Sequence, residues 1–333
     1  MKKKKILIVT NAYSTFVLRD VAILEKKYQV IRFTYKGKGD LPSNILAQLS
    51  LKIWLLRHIW TSYAVYVWFA DYHAFLPVLF ARIFRKKSFV VEGGYDTANL
   101  PEFNYGSHTS PLRSVLSTYA MKHANMNLPV SETLIPEILA LAPNAQVQCL
   151  YTGFDETFFM PNGPKEKMVI TVAGKISLQR IRIKGIDWFI ESARAFPDIP
   201  FVIIGHGDGI KNYPETIPEN VTITGMLSQE DLIYYYQKAM IYAQLSIREG
   251  LPTAVCEAML CECVPVGFNA GGIPVAIGDA GLIIGDKTPE AIKKAINEAL
   301  NKFEILGPLA REHVIKKFPQ KLRESRLFDI IKD

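Results

Sequence analysis

The sequence predicts an α/β protein built from two Rossmann-like domains, and three observations lead to this prediction. Short apolar runs rich in β-branched residues alternate with helical stretches along the whole chain, as is typical of parallel sheets covered by helices on both faces. The alternation breaks around residues 151–155 and restarts with Met168–Ala173, an apolar run that suits a buried central strand. The length of 333 residues is enough for two domains of ordinary size.

Each half of the chain contributes its own set of elements, and we expect one domain over residues 1–155 and a second over 165–317. In the first half the predicted strands are Lys5–Thr10, Tyr28–Thr34, Ala64–Phe69, Ser88–Glu92 and Met126–Pro129, with a helix over Phe16–Lys26. In the second half the predicted strands are Met168–Ala173, Phe201–Ile204, Val221–Ile223, Ile241–Leu245, Val264–Phe268 and Leu282–Ile284. The predicted helices of that half are Ile186–Ala195, Gln229–Ala239 and Pro289–Phe303, followed by further helices up to Lys332.

Composition and charge narrow the kind of partner. Hydrophobic residues make up 49% of the chain and charged residues 21%, which is a globular composition. The net charge of +7 favours anionic partners such as nucleotide diphosphates, acidic membrane surfaces or nucleic acid. No nucleic-acid-binding motif accompanies the charge. The basic run Lys2–Lys5 is followed by too short an apolar segment for a secretory signal, so we expect a cytoplasmic protein.

The cysteines and the longest apolar run each have an ordinary interpretation. Cys256, Cys261 and Cys263 lack the paired spacing of zinc sites, so the sequence predicts buried thiols, no metal and no cofactor. The apolar run over residues 58–81 is interrupted by polar residues and a proline. We interpret it as a strand, a turn and a helix rather than as a membrane span.

The segment from Arg248 to Gly272 carries the most chemistry. Glu249 and Glu257 stand eight residues apart, and a helix predicted over Pro252–Leu260 begins between them. A helix N-terminus offers free N–H groups and a partial positive charge, which suit a phosphate, whereas a nearby carboxylate suits sugar hydroxyls. The segment therefore predicts a site for a nucleotide-sugar. The alternative is a solvated Glu249 and a Glu257 that only stabilises its helix.

These residues resemble the E-x7-E region of the retaining glycosyltransferases of family 4, which have the GT-B fold. The similarity includes Glu249-Gly250-Leu251-Pro252, Glu257-Ala258-Met259, Val264-Pro265-Val266 and Gly271-Gly272-Ile273-Pro274. It implies two Rossmann-like domains that face each other across a cleft, with a final helix over about 318–333 that returns to the first domain. It also implies that Glu249 binds the transferred sugar, that Glu257 binds the ribose diol, and that Gly250, Leu251 and Thr253 contact the donor.

Two lysines and a glycine-rich stretch extend the resemblance. Gly174-Lys175 and Lys184-Gly185-Ile186-Asp187 are similar to the family's G-R/K…K-G-x-D signature, in which two cations hold the donor diphosphate. The alternative for both lysines is a solvated surface position. Gly205 opens a predicted glycine-rich turn, through Gly209, that lets the backbone approach a nucleotide. In relatives the residue at the position of Met226 lies against the base, and the alternative is a plain core methionine.

The resemblance is weaker in the first domain. The loop Asn11–Thr15 has no glycine, so we assign it no phosphate role. Asp96, with Glu92 beside it, follows a predicted strand and is a candidate to accept a hydrogen bond from a hydroxyl or to act as a base. The alternative is an aspartate that caps the following turn. The relatives show no agreed protein nucleophile, and we name none.

Basic and aromatic residues of the first domain suggest a membrane surface. They are Lys52, Trp54, Arg57, His58 and Trp60, with a second cluster at Arg82, Arg85, Lys86 and Lys87. Such helices lie on anionic membranes, and the alternative is a core-facing stripe with a solvated back. The expected function is sugar transfer from a nucleotide-diphosphate sugar to a glycan or lipid-linked acceptor on the inner face of the membrane. The rivals are a sugar-nucleotide epimerase and a catalytically silent binding protein of the same fold.

Overall fold

The computed structural model describes residues 3–37, 40–211, 213 and 215–332. It divides the chain into two compact units. The first comprises Met1–Thr152 and Arg323–Asp333, and the second comprises Gly153–Leu322. Lys2, part of the basic run noted in the sequence, lies outside the described residues.

The first unit is built around a five-stranded parallel sheet with the strand order β2-β1-β3-β4-β5. The central strands β1 and β3 are almost entirely buried, as expected of parallel strands covered on both faces. The strands are β1 (Lys5–Thr10), β2 (Gln29–Thr34), β3 (Ala64–Trp68), β4 (Lys87–Val91) and β5 (Met126–Asn127). The helices are α1 (Thr15–Lys27), α2 (Leu41–His58), α3 (Tyr72–Ile83), α4 (Pro111–His123), α5 (Ile135–Leu141) and, at the end of the chain, α14 (Gln320–Lys332).

The second unit contains a six-stranded parallel sheet with the order β11-β10-β9-β6-β7-β8. Its strands are β6 (Glu166–Lys175), β7 (Phe201–His206), β8 (Val221–Ile223), β9 (Ala239–Gln244), β10 (Val264–Phe268) and β11 (Leu282–Ile284). Its helices are α6 (Leu178–Lys184), α7 (Ile186–Arg194), α8 (Asp208–Lys211), α9 (Gln229–Lys238), α10 (Thr253–Leu260), α11 (Ile273–Ile277), α12 (Pro289–Asn301) and α13 (Phe303–Lys317). The fold class predicted from the sequence, two Rossmann-like α/β units, is confirmed.

Polar caps in the sequence fix where several helices begin. A cap side chain accepts a hydrogen bond from an N–H of the first turn and satisfies a donor that the helix leaves open. Helices with this arrangement include those capped by Asp40 for α2, Ser177 for α6, Ser228 for α9 and Thr288 for α12.

Some element boundaries differ from the sequence prediction. Strand β3 ends at Trp68 because Phe69 has a positive φ of 71°, which an extended strand does not accept. Strand β7 continues through Gly205 and His206. The helix predicted over Pro289–Phe303 is two helices, which meet at Lys302. The sequence analysis assigned no element to residues 41–58 or 111–123, and both are helices.

A buried ion pair joins the C-terminal helix to the core of the first unit. The Arg323 guanidinium donates to both oxygens of Asp20, at 2.6 and 2.7 Å, and to the carbonyls of Leu150 and Tyr151. Asp20 also accepts from other buried donors, the Tyr66 hydroxyl and the Trp68 indole. Both charges are fully buried, so each depends on this network for its solvation.

We expect Asp20→Ala to lower the free energy of unfolding by about 3–5 kcal/mol, because it leaves the Arg323 charge buried without a partner. Lys26→Ala is the matched control, since Lys26 also joins α1 to α14 through its exposed ion pair with Glu324. That pair should contribute less than about 1 kcal/mol. Urea denaturation of the three proteins measures the difference, and equal losses in the two variants would contradict this account of the ion pair.

Candidate active site

The predicted site residues of the second unit gather where the strand order of its sheet reverses. The chain runs from β6 outward to β7 and β8, and then returns to the other side of β6 to form β9, β10 and β11. Open parallel sheets bind ligands at such a switch point, beyond the carboxyl ends of the strands. The relevant ends are those of β6 and β9, which are neighbours in the sheet.

At this point Lys184 and Glu249 form an ion pair. The Lys184 Nζ donates to the Glu249 Oε1 at 2.6 Å, and the two side chains are 26% and 13% exposed. The same oxygen accepts from the Ser246 hydroxyl at 2.9 Å and from the Gln244 amide at 3.1 Å. The second oxygen, Oε2, takes no hydrogen bond from the described part of the chain. Glu249 is therefore held in place through one oxygen, with acceptor capacity left on the other.

Close backbone contacts explain why Lys184 and Glu249 meet. Gly185 has a φ of +65°, and a Cβ there would lie 1.8 Å from the Leu245 carbonyl oxygen, so only glycine lets the end of α6 lie against the end of β9. On the other side, the Gly272 N–H donates to the Glu249 carbonyl at 2.9 Å. A Cβ on Gly271, whose φ is +51°, would lie 2.3 Å from that same oxygen. The glycines therefore position the two charged residues.

Glu257 lies in the second turn of α10 and is only 6% exposed. Its Oε2 lies 3.5 Å from the hydroxyl of Tyr236. Another buried hydroxyl, that of Tyr242, accepts the Val172 N–H at 3.1 Å. Burial raises the pKa of Tyr242, and the charges of Glu249 and Glu257 raise it further. One neutral phenol therefore lies within electrostatic reach of both glutamates.

Helix α10 begins one residue later than predicted. Pro252 is the N-cap, with ψ of 98°, and the first helical residue is Thr253. The N–H groups of Thr253 and Ala254 have no acceptor among the described residues, as is usual in a first helical turn. Gly250 and Leu251 precede them and are buried. The helix therefore directs open N–H donors at the loop that carries Glu249, an arrangement that suits an anion.

The remaining donor-site predictions lie at the ends of β6, β7 and β8. Lys175 is the exposed last residue of β6. Gly205 lies inside β7 rather than in a turn, which corrects the sequence prediction. A Cβ there would lie 2.5 Å from the Gly174 carbonyl oxygen, so Gly205 permits close packing against the bulged end of β6. Met226 is 65% exposed, so the alternative of a plain core methionine is wrong.

Asp96, in the first unit, has the geometry of the capping alternative. It is fully buried, and its carboxylate accepts from the backbone N–H groups of Ala70, Gly93 and Gly94 at 2.8–3.2 Å. Burial raises the pKa of Asp96 to about 6, although these hydrogen bonds oppose the rise. A catalytic role for Asp96 stays a prediction, and the described contacts do not support it.

Glu92 lies just past the end of β4 and is completely buried. Neither carboxyl oxygen has a hydrogen-bond partner among the described residues. Burial raises its pKa well above the ordinary range, and the nearby charge of Asp96 raises it further. Glu92 is therefore expected to hold its proton at neutral pH.

The sequence analysis missed three residues of the site: Tyr242, Gln244 and Ser246. All three lie on β9 or within two residues of its carboxyl end, and no family motif includes them. The signal available was positional. Gln244 and Ser246 are polar residues at the end of a strand next to the switch point, and such residues face the ligand edge of a parallel sheet.

Comparisons with known proteins agree with this geometry. Residues 155–313 match the family described as glycosyl transferases group 1. A human protein of the phosphatidylinositol N-acetylglucosaminyltransferase is 22% identical over 94% of this chain and 66% of its own length. The N-acetyl-alpha-D-glucosaminyl L-malate synthase of Bacillus anthracis is 24% identical over 68% of this chain and 65% of its own. The chain thus covers less than two thirds of these curated relatives.

Solved structures show the same fold. The sucrose-phosphate synthase of Thermosynechococcus elongatus superposes with a TM-score of 0.83 at 14% identity, covering 99% of this chain and 98% of its own. HepE of Anabaena, in complex with UDP and glucose, superposes with a TM-score of 0.79 at 16% identity, covering 99% of each chain. These findings place the chain among the glycosyltransferases with the GT-B fold.

We expect the stability of the protein to depend on pH through Glu92. Its pKa is raised in the folded state, so the folded protein binds the proton more tightly than the unfolded chain does. The free energy of unfolding therefore falls as pH rises above about 4.3, the ordinary glutamate value. The slope from one such group is at most about 1.4 kcal/mol per pH unit.

Glu92→Gln removes this group, so the variant should gain stability relative to the parent as pH rises from 5 to 8. Urea denaturation at several pH values measures that difference. Glu102→Gln, at an exposed position, serves as the control and should follow the parent at every pH. If the Glu92→Gln and parent curves ran parallel, Glu92 would not be a buried protonated acid.

Proposed function

We propose that this chain is a retaining glycosyltransferase of family 4 that moves a sugar from a nucleotide-diphosphate sugar to an acceptor hydroxyl. The observation that carries the proposal is the contact between Lys184 and Glu249. These residues lie 65 positions apart and meet at 2.6 Å, at the switch point where an open parallel sheet binds its ligand. A cation for phosphate and a carboxylate for hydroxyls then lie in one place.

Each part of the donor has a matching group. Lys184 and Lys175 would bind the diphosphate, with the N–H groups at the start of α10. Glu249 would accept hydrogen bonds from the transferred sugar through its open Oε2. Glu257 would bind the ribose diol, and the exposed Met226 would lie against the base. UDP and glucose in the complex of the Anabaena HepE protein support a nucleotide-sugar donor for this fold.

The mechanism follows from where charge develops. Breaking the bond between the sugar and the diphosphate builds negative charge on phosphate oxygens, and fixed cations and N–H groups stabilise that charge. Lys184 leaves Glu249 for the phosphate, and its place on the carboxylate is taken by sugar hydroxyls. A retained configuration requires the acceptor oxygen to attack from the face that the diphosphate leaves. Positioning of the acceptor then supplies the rest of the rate enhancement.

A lipid-linked acceptor at an anionic membrane surface is part of the proposal. The name of the human relative, which contains phosphatidylinositol N-acetylglucosaminyltransferase, supports a lipid acceptor. The basic side chains of the first unit, such as Lys52 and Arg57, support attraction to anionic lipid. In the described part of the chain, no helix has the length and apolar character needed to cross a membrane. The proposed location is therefore peripheral, on the cytoplasmic face.

We expect Glu249→Gln to lower transfer at least a hundredfold, equivalent to about 3 kcal/mol of barrier, because the amide loses the charge that binds Lys184 and the sugar. Glu262→Gln, on the half-buried turn after α10, is the control and should retain activity. The assay measures release of nucleoside diphosphate from a panel of nucleotide-sugars, with and without a membrane lipid extract. Release that is independent of the extract would favour the epimerase alternative, and normal turnover by Glu249→Gln would remove Glu249 from the site.

We expect Lys184→Ala to weaken binding of a nucleoside diphosphate by about 1.5–3 kcal/mol, the range for hydrogen bonds to charged groups. Lys302→Ala is the control, since Lys302 pairs with Glu298 at the exposed end of α12. Calorimetry with UDP, GDP and ADP measures both variants. Equal affinities in parent and Lys184→Ala would contradict the assignment of Lys184 to the diphosphate.

A further inference from the structure

A groove opens in the first unit between α2, α3 and α4, with a volume of about 420 Å³. This volume lies within the range of roughly 300–1,000 Å³ that is usual for small-molecule sites. Its walls are mainly apolar and include Ile45, Leu49, Phe75, Leu76, Leu112 and Leu116. Helix α3 forms the floor, because it packs against both α2 and α4. Neither the donor site nor the sequence motifs account for this groove.

The rim of the groove is apolar and open to solvent. Ile45, Leu49 and Leu112 are each at least half exposed, and the neighbouring Leu46 and Val115 are about two-thirds exposed. A contiguous exposed apolar surface of this kind marks a site for an apolar partner. On α2 the exposed residues recur at helical spacing, from Ile45 through Leu49 to Ile53. The stripe thus continues along the outer face of the helix.

The charges around the groove select the kind of partner. Helices α2, α3 and α4 contain no aspartate or glutamate, and they carry Lys52, Arg57, Arg82, Arg113 and Lys122. The nearest acids are the helix caps Asp40 and Asp71, which bind Ser43 and Arg113 respectively. An anionic partner is therefore favoured over a cationic one. A second copy of the same surface is disfavoured, because two basic faces repel each other.

The groove also lies at the edge of the sheet where ligands bind. It is lined by the N-terminal parts of α3 and α4 and by the first half of α2, and helices of this fold begin at the carboxyl edge of the strands. Gln48 lines the groove and donates to the Tyr72 carbonyl at 2.6 Å. Its buried Oε1 has no partner among the described residues, so it can accept a hydrogen bond from a bound hydroxyl.

We propose that this groove holds the hydrocarbon chain of an anionic lipid, and that this lipid is the acceptor. The second part of the proposal rests on the function proposed above. The apolar walls exclude water from the chain, the basic rim attracts the anionic head, and Gln48 lies beside the head at the sheet edge. The lipid is thereby recognised by the first unit separately from the nucleotide-sugar, whose site lies in the second unit.

Binding of dodecyl phosphate tests the groove directly. The amphiphile is used below its micelle concentration, and a fluorescent fatty acid is displaced from the full chain. We expect saturable binding of one molecule per chain, and at least tenfold weaker binding of butyl phosphate and of dodecyltrimethylammonium. Binding that does not saturate, or equal affinity for the anionic and cationic amphiphiles, would overturn the proposal.

Two matched pairs of variants separate the groove from the exposed surface around it. Leu49→Asp changes the wall, and Leu46→Asp changes a more exposed leucine on the same helix that does not line the groove. Leu112→Asp and Val115→Asp form the same comparison on α4. We expect the wall variants to bind dodecyl phosphate at least tenfold more weakly and the outer variants to stay within twofold of the parent. Equal losses within each pair would instead indicate a flat membrane-facing surface.

Calorimetry with UDP on the same proteins separates this proposal from the proposed function. Every variant that keeps its fold should bind UDP as the parent does, because the groove and the donor residues belong to different units. UDP binding by a parent that fails to bind dodecyl phosphate would overturn the groove alone. Saturable binding of dodecyl phosphate by a parent that binds no nucleoside diphosphate would leave the groove standing and overturn the transferase.

Discussion

The ion pair of Lys184 with Glu249 is the contact on which the organisation of the second unit depends. Neither residue belongs to a strand. Each is carried by a loop or helix end, and the two are brought together by glycines that allow otherwise forbidden backbone contacts. The strand order places β6 beside β9, so segments far apart in sequence end at the same edge. A chain lacking Gly185 or Gly271 would keep its sheet and lose the alignment of its charges.

The pairing has a consequence for how the donor binds. In the unliganded protein the lysine neutralises the carboxylate that the transferred sugar requires, and Ser246 and Gln244 hold that carboxylate from a third side. Diphosphate competes for Lys184, so phosphate binding opens Glu249 to hydroxyls. The two halves of the donor therefore favour each other's binding, as a coupling free energy between adjacent subsites. A nucleoside diphosphate alone would leave Glu249 with its neutral donors only, ready for a sugar.

Much of this architecture was predictable, because strand periodicity and helix signals are local properties of the sequence. Strands β1, β8, β10 and β11 have the predicted bounds, and Glu249 and Lys184 were identified by a motif that also names their chemistry. Three features were not predictable for physical reasons. The contact between Lys184 and Glu249 requires the sheet order, Gln244 and Ser246 act only because β9 ends beside them, and the cap formed by Asp96 depends on a backbone turn.

Helix α2 illustrates the same limit in the opposite direction. Its apolar residues occur on both its buried and its exposed side, so periodicity gives a weak signal, and only the packing separates Leu51 and Leu55 in the core from Leu49 and Ile53 outside. The sequence showed basic and aromatic residues there, and their alternative interpretation was a core-facing stripe. The exposed half of α2 has no use in the stability of the unit. An apolar surface that stability does not require is retained at no benefit unless a partner covers it, and the surrounding charge makes that partner an anion with a hydrocarbon part.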